Sequence, residues 1–143
     1  MIERLIAATS LLVAAAGVQF SQAHSPPGEA RVFIIEPSDD AVVTSPVLVK
    51  VGIEGFGITP AAATGKRRHT AGHHHVLIDL DALPDMDEPI PEDANHVHLD
   101  GGETEVLLEL LPGGHSLQLL LGDEEHEPFA PTLISGKIRI TVK

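Results

Sequence analysis

Histidine is the residue type with which this chain offers most chemistry. Eight of its nine histidines lie after residue 60, and five of those fall in two short runs. One is His73, His74 and His75 in "TAGHHHVLIDLD"; the other is His96 and His98 in "NHVHLDGG". Neutral imidazole ligates Zn(II), Cu(II) and Ni(II) well. Alternate residues of a strand share a face and stand roughly 7 Å apart along the backbone. His73 and His75 form one such pair, and His96 and His98 a second. If the two strands are neighbours, the pairs converge on one ion. Asp79, Asp100 or Asp123 would add an oxygen ligand or orient a ring. His126, in "GDEEHEP", would close over the ion from a loop. The candidate metal set is therefore His73, His75, His96, His98, His126 and Asp123, with Cu(II) or Zn(II) as the expected ion and no organic cofactor. The competing reading is a hydrogen-bonded His–Asp network that braces the strands without a ligand. His69 and His115 read as single solvated or backbone-bonded rings, and His115 has no evident partner. His24 becomes the chain terminus if a leader is cut after Ala23. Its amine and ring would then chelate Cu(II), although Pro26, Pro27 and Gly28 favour an unstructured lead there.

Other chemistries are poorly supplied. There is no cysteine, so neither a thiolate nor a disulfide is available. Met86 is the one thioether left once the leader is removed, which disfavours Cu(I). No G-x-S-x-G nucleophile elbow occurs. Metal-assisted hydrolysis would need an open coordination position, with Glu103 or Glu105 as base; the expectation is a non-catalytic protein. The net charge of −12 repels phosphate backbones, and Tyr and Trp are both absent, so nucleic acid is not an expected partner. The basic patch "GKRRH", Lys66 to His69, reads as a solvated loop or a dock for an acidic partner. The acidic stretch Asp85 to Asp93 lacks EF-hand spacing.

The elements that must hold these rings read as strands. Residues 1–23 have the order of a signal peptide: a short basic start, an apolar run over Leu5–Phe20, and small residues at Ser21 and Ala23. The run is short for a bilayer-spanning helix, which needs about 20 residues. A periplasmic or secreted protein follows, with no stable membrane insertion after cleavage. Residues 24–30 read as a flexible lead and 31–143 as a single domain. Within it "ARVFIIEP", "PVLVKVGIEG", "HHHVLIDL", "HVHLDGG", "ETEVLLEL", "HSLQLLLGD" and "LISGKIRITVK" alternate or are β-branched, with Gly and Pro between them. "PSDDAVVTSP" and Gly55–Gly72 read as connections. About seven strands and no amphipathic helix imply an all-β, small immunoglobulin-like β-sandwich, with a small barrel as the alternative. On "HHHVLIDL", His74, Val76, Ile78 and Leu80 are expected to face the core, and His73 and His75 to face out with Asp79. Leu77 spoils that alternation.

The ordered motifs "ARVFIIEPSDDAVVTSPVLVKVGIEG", "TAGHHHVLID", "MDEPIPEDANHVHLDGGETE", "PGGHSLQLLLGD" and "KIRITVK" resemble the exported bacterial domain family of unknown function numbered 4399. The resemblance runs from Ala30 to Lys143 and implies a small secreted or periplasmic all-β domain with no established activity. Its histidine-bearing motifs match at His73, His74, His75, His96, His98, His115 and His126. The loop after "LLLGD" departs from the family pattern, with Glu124, Glu125 and Glu127 around His126 where histidine and asparagine are usual. That favours a mixed histidine–carboxylate site. The expected function is a metal-binding module; the alternative is a structural or protein-interaction module of the cell envelope, whose partner is an envelope protein.

Overall fold

The computed structural model describes residues 28–61 and 71–143. The leader, His24, the "GKRRH" patch and His69 lie outside the described residues. Nine strands and no helix form among them: β1 (Arg31–Glu36), β2 (Ala41–Val43), β3 (Val47–Glu54), β4 (Gly57–Ile58), β5 (Ala71–Ile78), β6 (His96–His98), β7 (Glu105–Leu108), β8 (Gly113–Gly122) and β9 (Ile138–Val142). None of the described residues forms a helix long and apolar enough to cross a membrane.

The two strands beyond the expected seven are β2 and β4. Both lie in stretches that the sequence pattern assigns to connections, because two or three residues are too few to show alternation. Both pair in parallel, β2 with β9 and β4 with β5. The strands make two sheets. One has the order β1–β3–β7; the other has β2–β9–β8–β5–β4, with β6 also on β5. Inward residues of both sheets share one core: Val32, Val49 and Val51 from the first meet Val76, Leu119 and Ile140 from the second. Burial of this apolar surface holds the layers together at about 25 cal/mol per Å².

Strand β5 is buried along its whole length. His74, Val76 and Ile78 face the shared core. The other face, which carries His73, His75 and Leu77, does not face solvent as the alternation suggested. Leu77, Leu120 and Ile90 form a second apolar cluster there, flanked by Leu80, Met86 and Ile134. Leu77 is thus the mark of a strand buried on both faces. Asp79 takes a left-handed φ of 54°, which ends the alternation and turns Leu80 into this second cluster.

Candidate metal centre

The antiparallel pairing of β5 with β6 places His75 directly opposite His98, and Leu77 opposite His96. The two histidine strands are therefore neighbours. Carried one step past β6, the same register sets Asp100 opposite His73. The pairing residue for the β5 pair is thus found in "HVHLD" at His98 and Asp100, not at His96 and His98. The His75 and His98 ring centroids lie 4.3 Å apart, and those of His73 and His75 lie 4.5 Å apart.

His126 closes the group from the loop between Asp123 and Glu127. Its Nδ1 is 3.1 Å from His73 Nε2 and 3.4 Å from His75 Nε2. One oxygen of Asp100 stands 3.6 Å from His73 Nε2, 3.6 Å from His98 Nδ1 and 3.8 Å from His126 Nδ1. Two overlapping sets could hold a metal ion: His73, His75 and His126, and His98, Asp100 and His126, each with its ligand atoms within 4.8 Å of one another.

Local structure aims these groups. His98 Nε2–H donates to the Pro91 carbonyl at 2.7 Å, which leaves a lone pair on Nδ1, the atom facing Asp100. A second partner of this kind fixes the tautomer of a ligating ring. His126 adopts a left-handed φ of 65°. Its carbonyl accepts the Ile90 N–H at 2.8 Å, which ties its loop to the segment that covers β5. Gly122 lies against the His75 ring; a Cβ there would stand 2.7 Å from His75 Cε1.

The buried rings are held neutral. Desolvation pulls His73 down to about 4, reinforced by His126 and opposed by Asp100. His75 falls to about 2, again first through burial and then through His73, His98 and His126. Neutral rings are the form that binds metal. His73, His75 and His98 each keep a buried Nδ1 with no hydrogen-bond partner, and His74 keeps two such nitrogens on the core side. His74 also falls to about 4 by burial, then by the nearby His73.

Two sequence candidates lie elsewhere. His96 shares a face with His98, but its Nδ1 sits 2.7 Å from Asp93 Oδ1, which stations it beside Leu77 and away from the converging atoms. Asp123 builds the loop instead of facing the rings: its Oδ1 accepts the N–H groups of Glu125 at 2.8 Å and Glu127 at 3.0 Å. It groups with Glu125 and Glu127, apart from His126. His115, which seemed partnerless, donates from Nδ1 to Asp79 Oδ2 at 2.7 Å and from Nε2 to the Leu111 carbonyl at 2.8 Å. Asp79 also accepts the Ser116 N–H at 2.7 Å, so it braces strand ends and supplies no ligand. The Asp79 bond raises the His115 pKa. These residues line an open groove of about 540 Å³ at the far end of β8, and the polar atoms just named are already engaged. Asp100 is the residue that mattered most and that spacing alone ranked only as an auxiliary. Its signal was the continued period of two in H-x-H-x-D.

The fold and the site together define an all-β protein of two sheets that carries a histidine-rich group able to hold a metal ion. Residues 49–143 match the family described as "Domain of unknown function (DUF4399)", and the chain belongs to that family. The match begins inside β3 and includes every converging residue. No curated protein and no solved structure matches the chain.

Proposed function

We propose that this protein is a non-catalytic divalent-metal module, periplasmic or secreted, that holds Cu(II) or Zn(II) through His73, His75, His98, His126 and Asp100. The carrying observation is the spacing of the donor atoms. Around a tetrahedral ion with bonds of about 2.0–2.2 Å, neighbouring ligand atoms stand roughly 3.3–3.6 Å apart. The five contacts made by His126 Nδ1 and the Asp100 oxygen run from 3.1 to 3.8 Å. His98 Nδ1, buried without a hydrogen-bond partner and facing Asp100, belongs to a cluster free of thiolate that suits a borderline ion with imidazole and carboxylate ligands. The non-catalytic reading is supported by the positions of Glu103 and Glu105, the candidate bases. Glu103 accepts the Gly101 N–H at 2.9 Å, and Glu105 pairs opposite Lys50 in the other sheet. Localisation rests on the signal-like order of residues 1–23.

We read the fold as immunoglobulin-like. In support, β1, β3 and β7 take the places of A, B and E, and β5, β8 and β9 those of C, F and G. Among the described residues, the bracing reading is favoured for His115 on Asp79 and His96 on Asp93.

The test is thermal unfolding of the chain from His24, first in chelator and then with Cu(II) or Zn(II), beside the His73→Ala/His98→Ala variant. An ion at a hundred times its Kd stabilises by about 2.7 kcal/mol, which is roughly a 10 °C rise in melting temperature. That rise should vanish in the variant. No shift with either ion, and a variant less stable than the parent in chelator, would leave the histidines as a structural brace.

A further inference from the structure

The five donors fall into two tiers. His73 and His75 are carried by β5 and His98 by β6, in a ladder that fixes their spacing. The side chains of His73 and His98 are 0% and 5% exposed. The Gly122 backbone stands beside the His75 ring and Ile90, and Ile90 packs with Leu77 and Leu120. The other two donors are mounted on turns, and Asp100 is 51% and His126 31% exposed. Asp100 begins a turn closed by the Gly102 N–H on the Leu99 carbonyl at 3.0 Å, with Gly102 at a φ of 80°. Its oxygen stands near three rings but beyond hydrogen-bond length of each, so no ring holds the carboxylate in place.

Resting on the metal reading above, we propose that the Asp100–His126 edge is a ligand-exchange face, through which the ion passes directly to an incoming nitrogen or oxygen donor of another molecule. Such a protein hands its ion over instead of storing it. The lone pair of the incoming donor forms a bond to the ion as the Asp100 oxygen–metal bond breaks. The carboxylate returns to water as an anion, His126 leaves next, and the ion keeps its oxidation state throughout. The strand-borne rings release last. A fully enclosed storage site would instead have to open before any acceptor could reach the ion.

The experiment loads the protein with one equivalent of Zn(II), mixes it rapidly with the chromophoric chelator 4-(2-pyridylazo)resorcinol, and follows transfer. The expected rate rises in proportion to chelator concentration. Asp100→Asn, a change on an exposed turn, should speed spontaneous release about tenfold, in line with the loss of one supporting ligand. A rate independent of chelator concentration, or an Asp100→Asn rate equal to that of the parent, would overturn the exchange face. A parent that retains no zinc before mixing would instead remove the metal reading beneath it, so the two failures are told apart at the loading step.

Discussion

The sharpest structural constraint on the His75 ring is Gly122, and Gly122→Ala turns it into a measurement. The new Cβ would lie 2.7 Å from His75 Cε1, 3.2 Å from its Nδ1 and 3.2 Å from Ile90 Cδ1. Unbonded carbons settle at about 3.5–4.0 Å, so the ring must retreat by roughly 1 Å. Gly122 shows no left-handed φ, so the alanine backbone itself is unstrained. Overpacking of this kind costs about 1–3 kcal/mol. The less flexible unfolded chain returns about 0.4–1 kcal/mol. The net loss of about 1–2 kcal/mol lowers the melting temperature by roughly 4–8 °C in chelator. A ligand atom is useful within about 0.2 Å of its bond length, so a 1 Å retreat should weaken Zn(II) binding at least about tenfold. Calorimetric titration measures the affinity and scanning calorimetry the stability. Gly114→Ala is the control, since its Cβ meets nothing within 4 Å; it should leave the affinity unchanged and raise stability by about 0.4–1 kcal/mol. The reasoning fails if Gly122→Ala loses stability yet binds Zn(II) within twofold of the parent, because His75 would then be packing and not ligand.

Three further outcomes are expected. His74→Leu removes two buried nitrogens that have no partner and keeps similar bulk, so it should stabilise the ion-free protein by about 1–2 kcal/mol; a lower melting temperature would count against the orphaned ring. Acid should destabilise the ion-free protein between about pH 6.5 and 4. The unfolded chain takes up protons on its rings near 6.5, whereas His73 and His74 resist until about 4, so the unfolded state binds more protons across that window and stability falls as pH drops. His74 alone accounts for about 3 kcal/mol of that loss. The raised pKa of His115 acts with the opposite sign, its stabilisation being present below 6.5 and lost as pH rises through its own value, so it cannot produce the acid loss. Urea melts from pH 7 to 4 would show the slope, and a flat profile would contradict it. Finally, His98→Ala should weaken Zn(II) binding by roughly a hundredfold and His96→Ala by less than threefold; equal losses would restore His96 to the site.

Much of this site was legible in the order of residues, but its register was not. A period of two put His73 beside His75 and His96 beside His98 on shared faces. It could not say which member of one pair meets which of the other. Antiparallel register decided that, bringing His98 to His75 and Asp100 to His73, and leaving His96 to Asp93. Burial misled in one place. Alternation marks one face of a half-buried strand, yet β5 is covered on both faces, and its cover comes from outside the strand, around Ile90 and Ile134. Strands β2 and β4 escaped notice because short parallel pairings draw their partners from distant sequence. Asp123 looked like a ligand from its neighbour His126, but an aspartate two residues ahead of backbone N–H groups serves a turn first.

The most direct measurement is a crystal of the mature protein soaked in Zn(II), with an anomalous difference map collected above the zinc edge. The account predicts one strong peak about 2.0–2.2 Å from His73 Nε2, His75 Nε2 and His126 Nδ1, with the Asp100 oxygen and His98 Nδ1 also in its shell. A map with no peak among these atoms, or with its peak at Asp123, Glu125 and Glu127 instead, would contradict it.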